Sequence, residues 1–413
     1  MTEPDRPVLH RGAWVLPIVS EAVRDGAVCL AGGAVAGTGP AEEILAAFPT
    51  ALVIEHPRSI LMPPLVNAHV HLGLTGEAGR HPGGEGLFPW LSGLVPALRK
   101  LDAAAAARAT AEGAEKCWRM GTGLVGEIAG LDGVEAGLRA HPHLQARVYF
   151  EVLGVGESAA RAALARALDR VDGIEDPTGR LRPGLSPHAP YSLWPPLWPE
   201  VVGAAVSRGL PWTTHLAEPP EENEFLLRGT GGVRDFLEAM DVWDEAFPVP
   251  GMTGAAFLLD RDLVDDRGLL VHGVHLHEAE IERLAVNDAA VCLCPRSNAH
   301  LGLPPAPVEA LYHGGVMLCM GTDSLASNRD LGVWGELRAV HALAPGLSPT
   351  ALVRMATANG AMALGFTGRA GTLHPGGPAR LIAVDAPDLG RDDPHRYLVE
   401  AAVEDRVRWL APA

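Results

Sequence analysis

Short apolar runs alternate with longer, helix-like segments along most of the chain. The runs have the length of buried strands. Strands and helices in alternation indicate a parallel sheet with helical crossovers. Strands are predicted at residues 60–68, 121–127, 146–153, 181–187, 211–215, 268–272, 289–294 and 316–320, and helices at 102–120, 159–172, 197–208, 278–286 and 331–344.

The number of predicted strand–helix units, eight, is that of a closed (β/α)8 barrel, the TIM barrel of the α/β class. Candidate reactive side chains follow the first, fifth, sixth and eighth strands, at the end of the barrel where active sites form. A doubly wound open sheet is the alternative, but it would not bring these strands together. We therefore expect a closed barrel, with long loops at residues 72–99 and 219–267 forming the rim of its pocket.

Both ends of the chain differ from this middle part. They contain short strands separated by glycine-rich turns and few signals for helices. We expect residues 1–60 and 369–413 to form one composite β-sandwich domain, and residues 61–368 to form the catalytic barrel.

Composition narrows the class of function. The 413 residues are 47% hydrophobic and 20% charged, which is typical of a globular protein. The formal net charge of −17 repels phosphate backbones and argues against nucleic acid as a partner. The first residues show no signal-peptide core, and the longest uncharged stretch, residues 59–76, contains prolines and histidines, so we expect no membrane span.

Cysteine usage suggests a compartment. An odd number of cysteines without regular spacing is typical of a reduced, cytoplasmic protein. Cys292 and Cys294 are candidate ligands of a soft metal, although buried cysteine is more often a small core residue, and we prefer that interpretation.

Four short segments carry the candidate metal ligands. His69 and His71 end the first strand, and residues two apart on a strand point the same way, so both can reach one ion. His215 and His272 end the fifth and sixth strands, and Asp323 follows the eighth. Imidazoles with a carboxylate suit Zn²⁺ or Fe²⁺. The sequence therefore predicts one catalytic metal site.

Glu218 comes three residues after His215. A carboxylate just past a ligand strand is well placed to move protons to and from a water in a metal site. The alternative is that Glu218 only opens an acidic, solvated loop, which is the interpretation we prefer for Glu221, Glu222 and Glu224.

Several motifs together are similar to those of the amidohydrolase superfamily, in the mononuclear branch that includes guanine, S-adenosylhomocysteine, methylthioadenosine and aminofutalosine deaminases, with atrazine chlorohydrolase as a relative. The resemblance spans essentially the whole chain and implies a (β/α)8 barrel with a composite β-sandwich. The motifs lie at residues 64–71, 215–218, 271–276, 294–298, 321–324 and 356–365.

The resemblance implies a role for each of these positions. Glu218 would be the acid and base that protonates a ring nitrogen, and His272 with Asp323 would orient the hydrolytic water. Binuclear relatives use a lysine on the fourth strand, which ends here at His188 without one. One divalent ion is therefore expected, most simply Zn²⁺, with Fe²⁺ as the alternative. Its implied ligands are His69, His71, His215 and Asp323.

Five further residues are candidates for contacting substrate. His188 resembles a substrate-contacting histidine of nucleoside deaminases, with a rim position as the alternative. Trp90 could stack on a ring or serve only in packing. Arg296, Ser297 and Asn298 follow the seventh strand and would either bind substrate or hold the loop.

The function implied is metal-dependent hydrolytic deamination of a purine-like ring, with an adenosine-type nucleoside as substrate. The loop after the first strand resembles that of aminofutalosine deaminases of menaquinone synthesis. The alternatives are a hydrolase of another C–N or C–Cl bond, such as a cyclic amide hydrolase, and a catalytically silent binding protein. The expected partners are a small-molecule substrate and, as an option that the sequence leaves open, a second copy in a homodimer.

Overall fold

The computed structural model describes residues 6–389, 392–401 and 403–411. The other residues lie outside the described part of the chain. They include the first five residues, on which the signal-peptide expectation depends, and parts of the second segment of the composite domain. The strands are β1 Val8–Val15, β2 Val23–Ala31, β3 Ala34–Pro40, β4 Leu52–Met62, β5 Leu65–His71, β6 Thr122–Ala129, β7 Gln145–Val152, β8 Leu181–Pro187, β9 Trp212–Leu216, β10 Gly268–His272, β11 Ala290–Leu293, β12 Met317–Met320, β13 Asp323–Ser324, β14 Leu381–Asp385 and β15 Val407–Ala411.

The helices lie mainly between the strands of the middle part. They are α1 Ala41–Ala47, α2 Leu87–Leu98, α3 Ala103–Arg119, α4 Val134–Ala140, α5 Glu157–Asp172, α6 Trp198–Ser207, α7 Pro220–Arg228, α8 Gly232–Ala239, α9 Gly254–Leu259, α10 Glu278–Val286, α11 Pro295–Leu301, α12 Val308–His313, α13 Val333–Leu343, α14 Pro349–Arg354, α15 Gly360–Ala363 and α16 Pro394–Glu400. No helix in the described part of the chain is long and apolar enough to cross a membrane.

The middle strands form one parallel sheet that closes on itself. Its order is β12-β11-β10-β9-β8-β7-β6-β5-β13. The short strands β12 and β13 are two pieces of one eighth strand, because only Gly321 and Thr322 separate them, and they pair with β11 and β5 respectively. The predicted α/β barrel is confirmed.

The closing strand is fixed to the first strand by a pair of side-chain hydrogen bonds. The Asn67 amide nitrogen donates to the Thr322 hydroxyl at 2.7 Å, and the Thr322 backbone N–H donates to the Asn67 amide oxygen at 3.0 Å. Both residues are fully buried. Since each polar group is paired, this contact sets the register of β13 and the position of the adjacent Asp323.

The expectation of one strand at residues 60–68 is wrong. Residues 60–62 end β4 of the small sheet, and β5 of the barrel begins at Leu65. Pro63 and Pro64 lie between them. Proline has no backbone N–H and cannot contribute to a sheet ladder, so the two prolines separate the strands.

The two ends of the chain build a six-stranded sheet in the order β15-β14-β4-β1-β2-β3. Strand β4 pairs in parallel with β1 and antiparallel with β14, so it joins strands from both ends of the sequence. A small sheet domain built from both ends was predicted, and the structure confirms it. The division of the domains at residues 60 and 369 stays a prediction.

Both predicted long loops contain helices. Residues 72–99 hold a 3₁₀ helix at Leu72–Glu77 and then α2, and residues 219–267 hold α7, α8 and α9. Both follow the carboxyl ends of barrel strands, so they lie at the mouth of the barrel where the candidate ligands are found.

Candidate metal centre and active site

A cluster of four imidazoles and one carboxylate lies at the mouth of the barrel. The centroid of the His69 ring is 4.9 Å from that of His71, 5.0 Å from that of His215 and 5.9 Å from that of His272. Possible ligand atoms of His69, His71 and Asp323 lie within 4.8 Å of one another, and so do those of His69, His215 and His272. Residues predicted from four separate strands are thus brought together.

Neither of these groups in the described residues includes a cysteine. All five cysteines are buried and free. These observations agree with the interpretation of Cys292 and Cys294 as core residues rather than ligands.

The Asp323 carboxylate has two differently engaged oxygens. Oδ1 faces Nε2 of His71 at 3.4 Å and Nε2 of His69 at 3.7 Å. Oδ2 accepts hydrogen bonds from the hydroxyls of Ser297 at 2.6 Å and Ser327 at 3.1 Å. One oxygen is therefore held by hydroxyls while the other points at the imidazoles, as expected of a ligand with supporting contacts.

Two of the histidines present nitrogens that suit an ion. Nδ1 of His215 donates to the backbone oxygen of His188 at 2.9 Å, which leaves Nε2 as a lone-pair atom. Both ring nitrogens of His69 are buried, and neither has a hydrogen-bond partner among the described residues. An unpartnered buried polar atom costs about 1–3 kcal/mol. A divalent cation bound at Nε2 would remove this cost for that nitrogen, so the residues present fit a metal ion.

Protonation of the cluster also favours metal binding. Burial lowers the pKa of His71 to about 3 and also lowers the pKa of His69 and His215. Burial alone would raise the pKa of Asp323, but the proximity of Oδ1 to Nε2 of His69 and His71 outweighs burial and lowers that pKa. Neutral imidazoles and an ionised carboxylate are the forms that ligate metals.

Backbone strain also occurs at these strand ends. Ala217, His272 and Asp323 have φ values of 51°, 74° and 56°. Left-handed backbone is unfavourable for residues other than glycine, and it recurs at functional sites where the surrounding structure enforces it. At these positions the chain turns out of its strand and directs side chains into the mouth of the barrel.

Glu218 lies within the cluster rather than in solvent. It is only 4% exposed, and its Oε1 is 3.5 Å from Nε2 of His272. Burial raises its pKa well above the ordinary value, and the charge of Asp323 adds to the shift. A carboxyl of raised pKa beside a metal site is equipped for acid–base chemistry.

The expectation that Glu222 is solvated is wrong. Its side chain is fully buried and accepts from the backbone N–H groups of Ala217 at 3.1 Å and Glu218 at 3.4 Å. This carboxylate fixes the strained turn that carries Glu218. Glu224 is exposed, as predicted.

His188 lies beside the cluster. The centroid of its ring is 4.8 Å from that of His215, and its Nδ1 is 2.6 Å from the Ser192 hydroxyl. Its Nε2 faces the Glu151 carboxylate at 3.8 Å. Burial lowers the pKa of His188 to about 4, so the ring is neutral at physiological pH.

Helix α11 supplies side chains that form hydrogen bonds with His272 and Asp323. The Asn298 amide oxygen lies 2.9 Å from Nδ1 of His272, and Ser297 donates to Asp323. Arg296 forms a two-pronged ion pair with Asp330, at 2.9 and 2.8 Å, and lies 3.7 Å from the fully buried Glu336. These contacts favour the loop-holding alternative for all three residues, and their contact with substrate stays a prediction.

Trp90 lies in the rim and packs with apolar neighbours. It is 8% exposed and packs in a cluster that includes Leu74, Leu87 and Leu301. It also borders a cavity of about 160 Å³ near His81. This placement favours the packing alternative, and stacking on a substrate ring stays a prediction.

Two recessed carboxyls were missed by the sequence reasoning. Glu127 and Glu151 lie near the ends of β6 and β7, and burial raises the pKa of both, that of Glu151 to about 7. A signal was available, because each is a carboxylate at the end of an apolar strand, the same pattern that singled out Asp323.

Comparison with known proteins agrees with this geometry. The profile of the Amidohydrolase family matches residues 60–407. The chain belongs to the amidohydrolase family. An aminodeoxyfutalosine deaminase from Deinococcus radiodurans is 34% identical over 359 residues, 82% of this chain and 81% of the relative. A 5-methylthioadenosine/S-adenosylhomocysteine deaminase from Nitratidesulfovibrio vulgaris is 31% identical over 404 residues, 94% of this chain and 85% of the relative.

Solved structures of other family members have the same fold. An adenosine deaminase from Xanthomonas campestris with bound zinc is similar to this amidohydrolase with a TM-score of 0.83 and 28% identity. The match covers 97% of this chain and 90% of that protein. The barrel with its added sheet is therefore shared along nearly the whole length.

Proposed function

We propose that this amidohydrolase removes an amino group hydrolytically from the purine ring of an adenosine-type nucleoside. The observation that carries the proposal is the buried Glu218 carboxyl, 3.5 Å from His272 and beside a cluster suited to one metal ion. Hydrolysis of a ring amine needs a water to lose a proton and a ring nitrogen to gain one. A single carboxyl of raised pKa can do both.

Zinc is the proposed ion, with iron as the alternative. A zinc-bound relative and three imidazoles with one carboxylate support zinc, and the absence of a lysine near the end of β8 supports a single ion. When bound, such an ion lowers the pKa of water in the site toward neutrality. The proposed ligands are His69, His71, His215 and Asp323.

The side chains of the protein transfer protons and orient the attacking oxygen. Glu218 takes a proton from the water and passes it to the ring nitrogen, which makes the adjoining ring carbon more electrophilic. After the water oxygen adds to that carbon, a second proton transfer through Glu218 to the amino group breaks the C–N bond and releases ammonia. His272 and Asp323 hold the attacking oxygen in line with that carbon. Asn298 and Ser297 fix the orientations of these two groups through the contacts at 2.9 and 2.6 Å.

The names of the relatives support a nucleoside as substrate. Those of D. radiodurans and N. vulgaris act on aminodeoxyfutalosine and on 5-methylthioadenosine or S-adenosylhomocysteine. All three are adenine nucleosides extended beyond the sugar. Aminodeoxyfutalosine is our first candidate.

A release assay on enzyme of known metal content tests the proposal. Ammonia is measured with aminodeoxyfutalosine, 5-methylthioadenosine, adenosine, guanine and cytosine, and chloride with atrazine. We expect kcat/KM to be higher for the nucleosides than for every free base. A free base that exceeds all nucleosides, chloride release alone, or no product with any compound would each contradict the nucleoside assignment, and the last would favour a binding protein.

We also propose a cytoplasmic location, with a homodimer as the assembly to be tested. The free, buried cysteines are compatible with a reducing compartment. Light scattering on the purified chain and fractionation of the producing cells test the two parts separately. A monomeric mass, or recovery outside the cytoplasm, would contradict the corresponding part.

A further inference from the structure

Glu151 is a recessed carboxylate without a partner. Its side chain is 18% exposed, and it makes no hydrogen bond with the described residues. The nearest base, Nε2 of His188, is 3.8 Å away, which is too far for a hydrogen bond. Arg170, the cation whose charge it feels, is engaged by a two-pronged pair with Glu135.

The carboxylate on the neighbouring strand shows the contrast. Oε2 of Glu127 accepts from the backbone N–H of Leu72 at 2.9 Å and so anchors the loop after His71. Glu151 anchors nothing in this way. A recessed carboxylate left unpaired is unfavourable, so its acceptor atoms point to a ligand with hydrogen-bond donors.

Gly130 makes room for this carboxylate. A Cβ at position 130 would lie 2.3 Å from Oε2 of Glu151. The backbone of Gly130 does not have the positive φ that calls for glycine elsewhere in the chain. A side chain at position 130 would therefore require the Glu151 carboxylate to move.

His188 offers a second acceptor beside Glu151. The Ser192 hydroxyl donates to the backbone oxygen of Ala189 at 3.2 Å, so it accepts from Nδ1 of His188. In the neutral ring Nε2 is then a lone-pair atom, on the side of the ring that faces Glu151. Two adjacent acceptors suit a ligand with adjacent hydroxyls.

The distance from the metal cluster suits a nucleoside. His215, His188 and Glu151 belong to or directly follow three successive strands, β9, β8 and β7. Strands lie about 4.8 Å apart, so the β7 position is about 10 Å from the strand of His215. This is comparable to the separation of the ring amine and the sugar hydroxyls in adenosine.

We propose that Glu151, beside His188, determines specificity by accepting hydrogen bonds from the vicinal hydroxyls of the sugar. The inference rests on the proposed function, because it needs the purine amine at the metal cluster. It makes Glu151 a substrate-binding residue, separate from the proton-transfer group Glu218.

The test compares adenosine with 2′-deoxyadenosine and 3′-deoxyadenosine, above the pKa of Glu151, where its carboxyl is ionised. In the native enzyme we expect each missing hydroxyl to lower kcat/KM about 10- to 100-fold, as for the loss of a hydrogen bond to a charged group. In Glu151→Gln this penalty should shrink to about threefold or less, with higher KM, similar kcat and unchanged metal content.

Two other variants sharpen the result. Gly130→Ala keeps the charge but displaces the carboxylate, so it should reduce the same discrimination. Glu157→Gln, an exposed residue of α5, is the matched control and should leave the discrimination unchanged. An equal penalty for the deoxy substrates in native enzyme and Glu151→Gln would overturn the inference.

A binding measurement separates this inference from the proposed function. Calorimetry on metal-loaded Glu218→Gln, with and without the added Glu151→Gln change, measures binding of adenosine and its deoxy analogues without turnover. A hydroxyl-dependent affinity that needs Glu151 would support the contact even if the native enzyme releases no ammonia. Affinity that is the same with and without the hydroxyls would exclude the contact.

Discussion

Two buried basic residues at opposite ends of the barrel, His69 at the mouth and Arg147 at the floor, are paired differently. At the mouth, His69 is buried with two unpartnered ring nitrogens, and Ala217, His272 and Asp323 have left-handed backbone. At the opposite end, the buried Arg147 donates to the backbone oxygens of Leu364 at 2.9 Å and Pro183 at 2.7 Å. The His69 nitrogens at the mouth are free, and the Arg147 guanidinium at the opposite end is paired.

The end of the barrel opposite the mouth, its floor, is closed by packed side chains. The guanidinium groups of Arg147 and Arg182 lie 5.4 and 4.8 Å from the centre of the Phe366 ring, which packs among the inward-facing strand residues. Burial lowers the pKa of Arg147 only to about 10, so it stays charged and binds the carbonyls firmly. The comparison indicates that this end provides stability and that the mouth gives up stability for function.

Asp323→Asn should have the largest effect on function. Asparagine has the same shape and tolerates the φ of 56°, so the fold should persist. The variant lacks the anionic oxygen that faces His69 and His71, so it should lose most of its metal and all measurable activity. Metal analysis and circular dichroism provide the two measurements.

Asp260→Asn, an exposed residue paired with Arg283, is the matched control for this loss. It should keep both metal and activity. A full complement of metal in Asp323→Asn would show that the mouth does not depend on this carboxylate and would remove it from the ligand set.

Glu218→Gln should separate chemistry from metal binding. Glutamine keeps the size of the side chain but cannot accept and return a proton, so turnover should fall by about 10²–10⁴-fold, the range of general acid–base catalysis. Metal content and thermal stability should remain at native values. Glu224→Gln, exposed on the same helix-bearing loop, is the control, and a near-native rate in Glu218→Gln would return Glu218 to a structural role.

Asn298→Ala should have a smaller effect. The amide oxygen of Asn298 fixes the ring orientation of His272, and loss of such a supporting contact typically costs 10–100-fold in activity or metal affinity. We expect lower kcat with little change in KM, and recovery in Asn298→Asp, which keeps an acceptor. Unchanged kcat with a raised KM would instead support the original prediction that Asn298 contacts substrate.

The barrel and the positions of the clustered histidines were predictable because they depend on local pattern. An apolar run that ends in a histidine or carboxylate marks a strand end at the mouth, and this placed His69, His71, His215 and His272 correctly. Pro63 and Pro64 also mark the boundary between β4 and β5 in the sequence, although a single strand was predicted there. The pairing of β13 was not visible, because two residues show no periodicity.

The supporting contacts were not predictable, because they join distant parts of the sequence. Arg296 binds Asp330, 34 residues away, and its backbone N–H donates to Glu336, 40 residues away. Glu222 is buried because helix α7 folds back on the turn at Ala217 and Glu218. In the sequence Glu222 looks like the exposed Glu224 nearby, and only the tertiary structure distinguishes the two residues.

Arg147→Met tests the floor and should leave function nearly unchanged. The variant loses two hydrogen bonds from a charged donor and leaves the oxygens of Leu364 and Pro183 without this partner, so the free energy of unfolding should fall by about 2–5 kcal/mol. Arg161→Met, whose exposed side chain pairs with Glu157, should change it by about 0.5 kcal/mol or less. Urea unfolding measures both. Because the floor does not touch the ligand cluster, kcat and metal content of the folded Arg147→Met enzyme should match those of the native enzyme. A fall in kcat without a fall in stability would show that the two ends of the barrel are coupled and would contradict the division of roles between them.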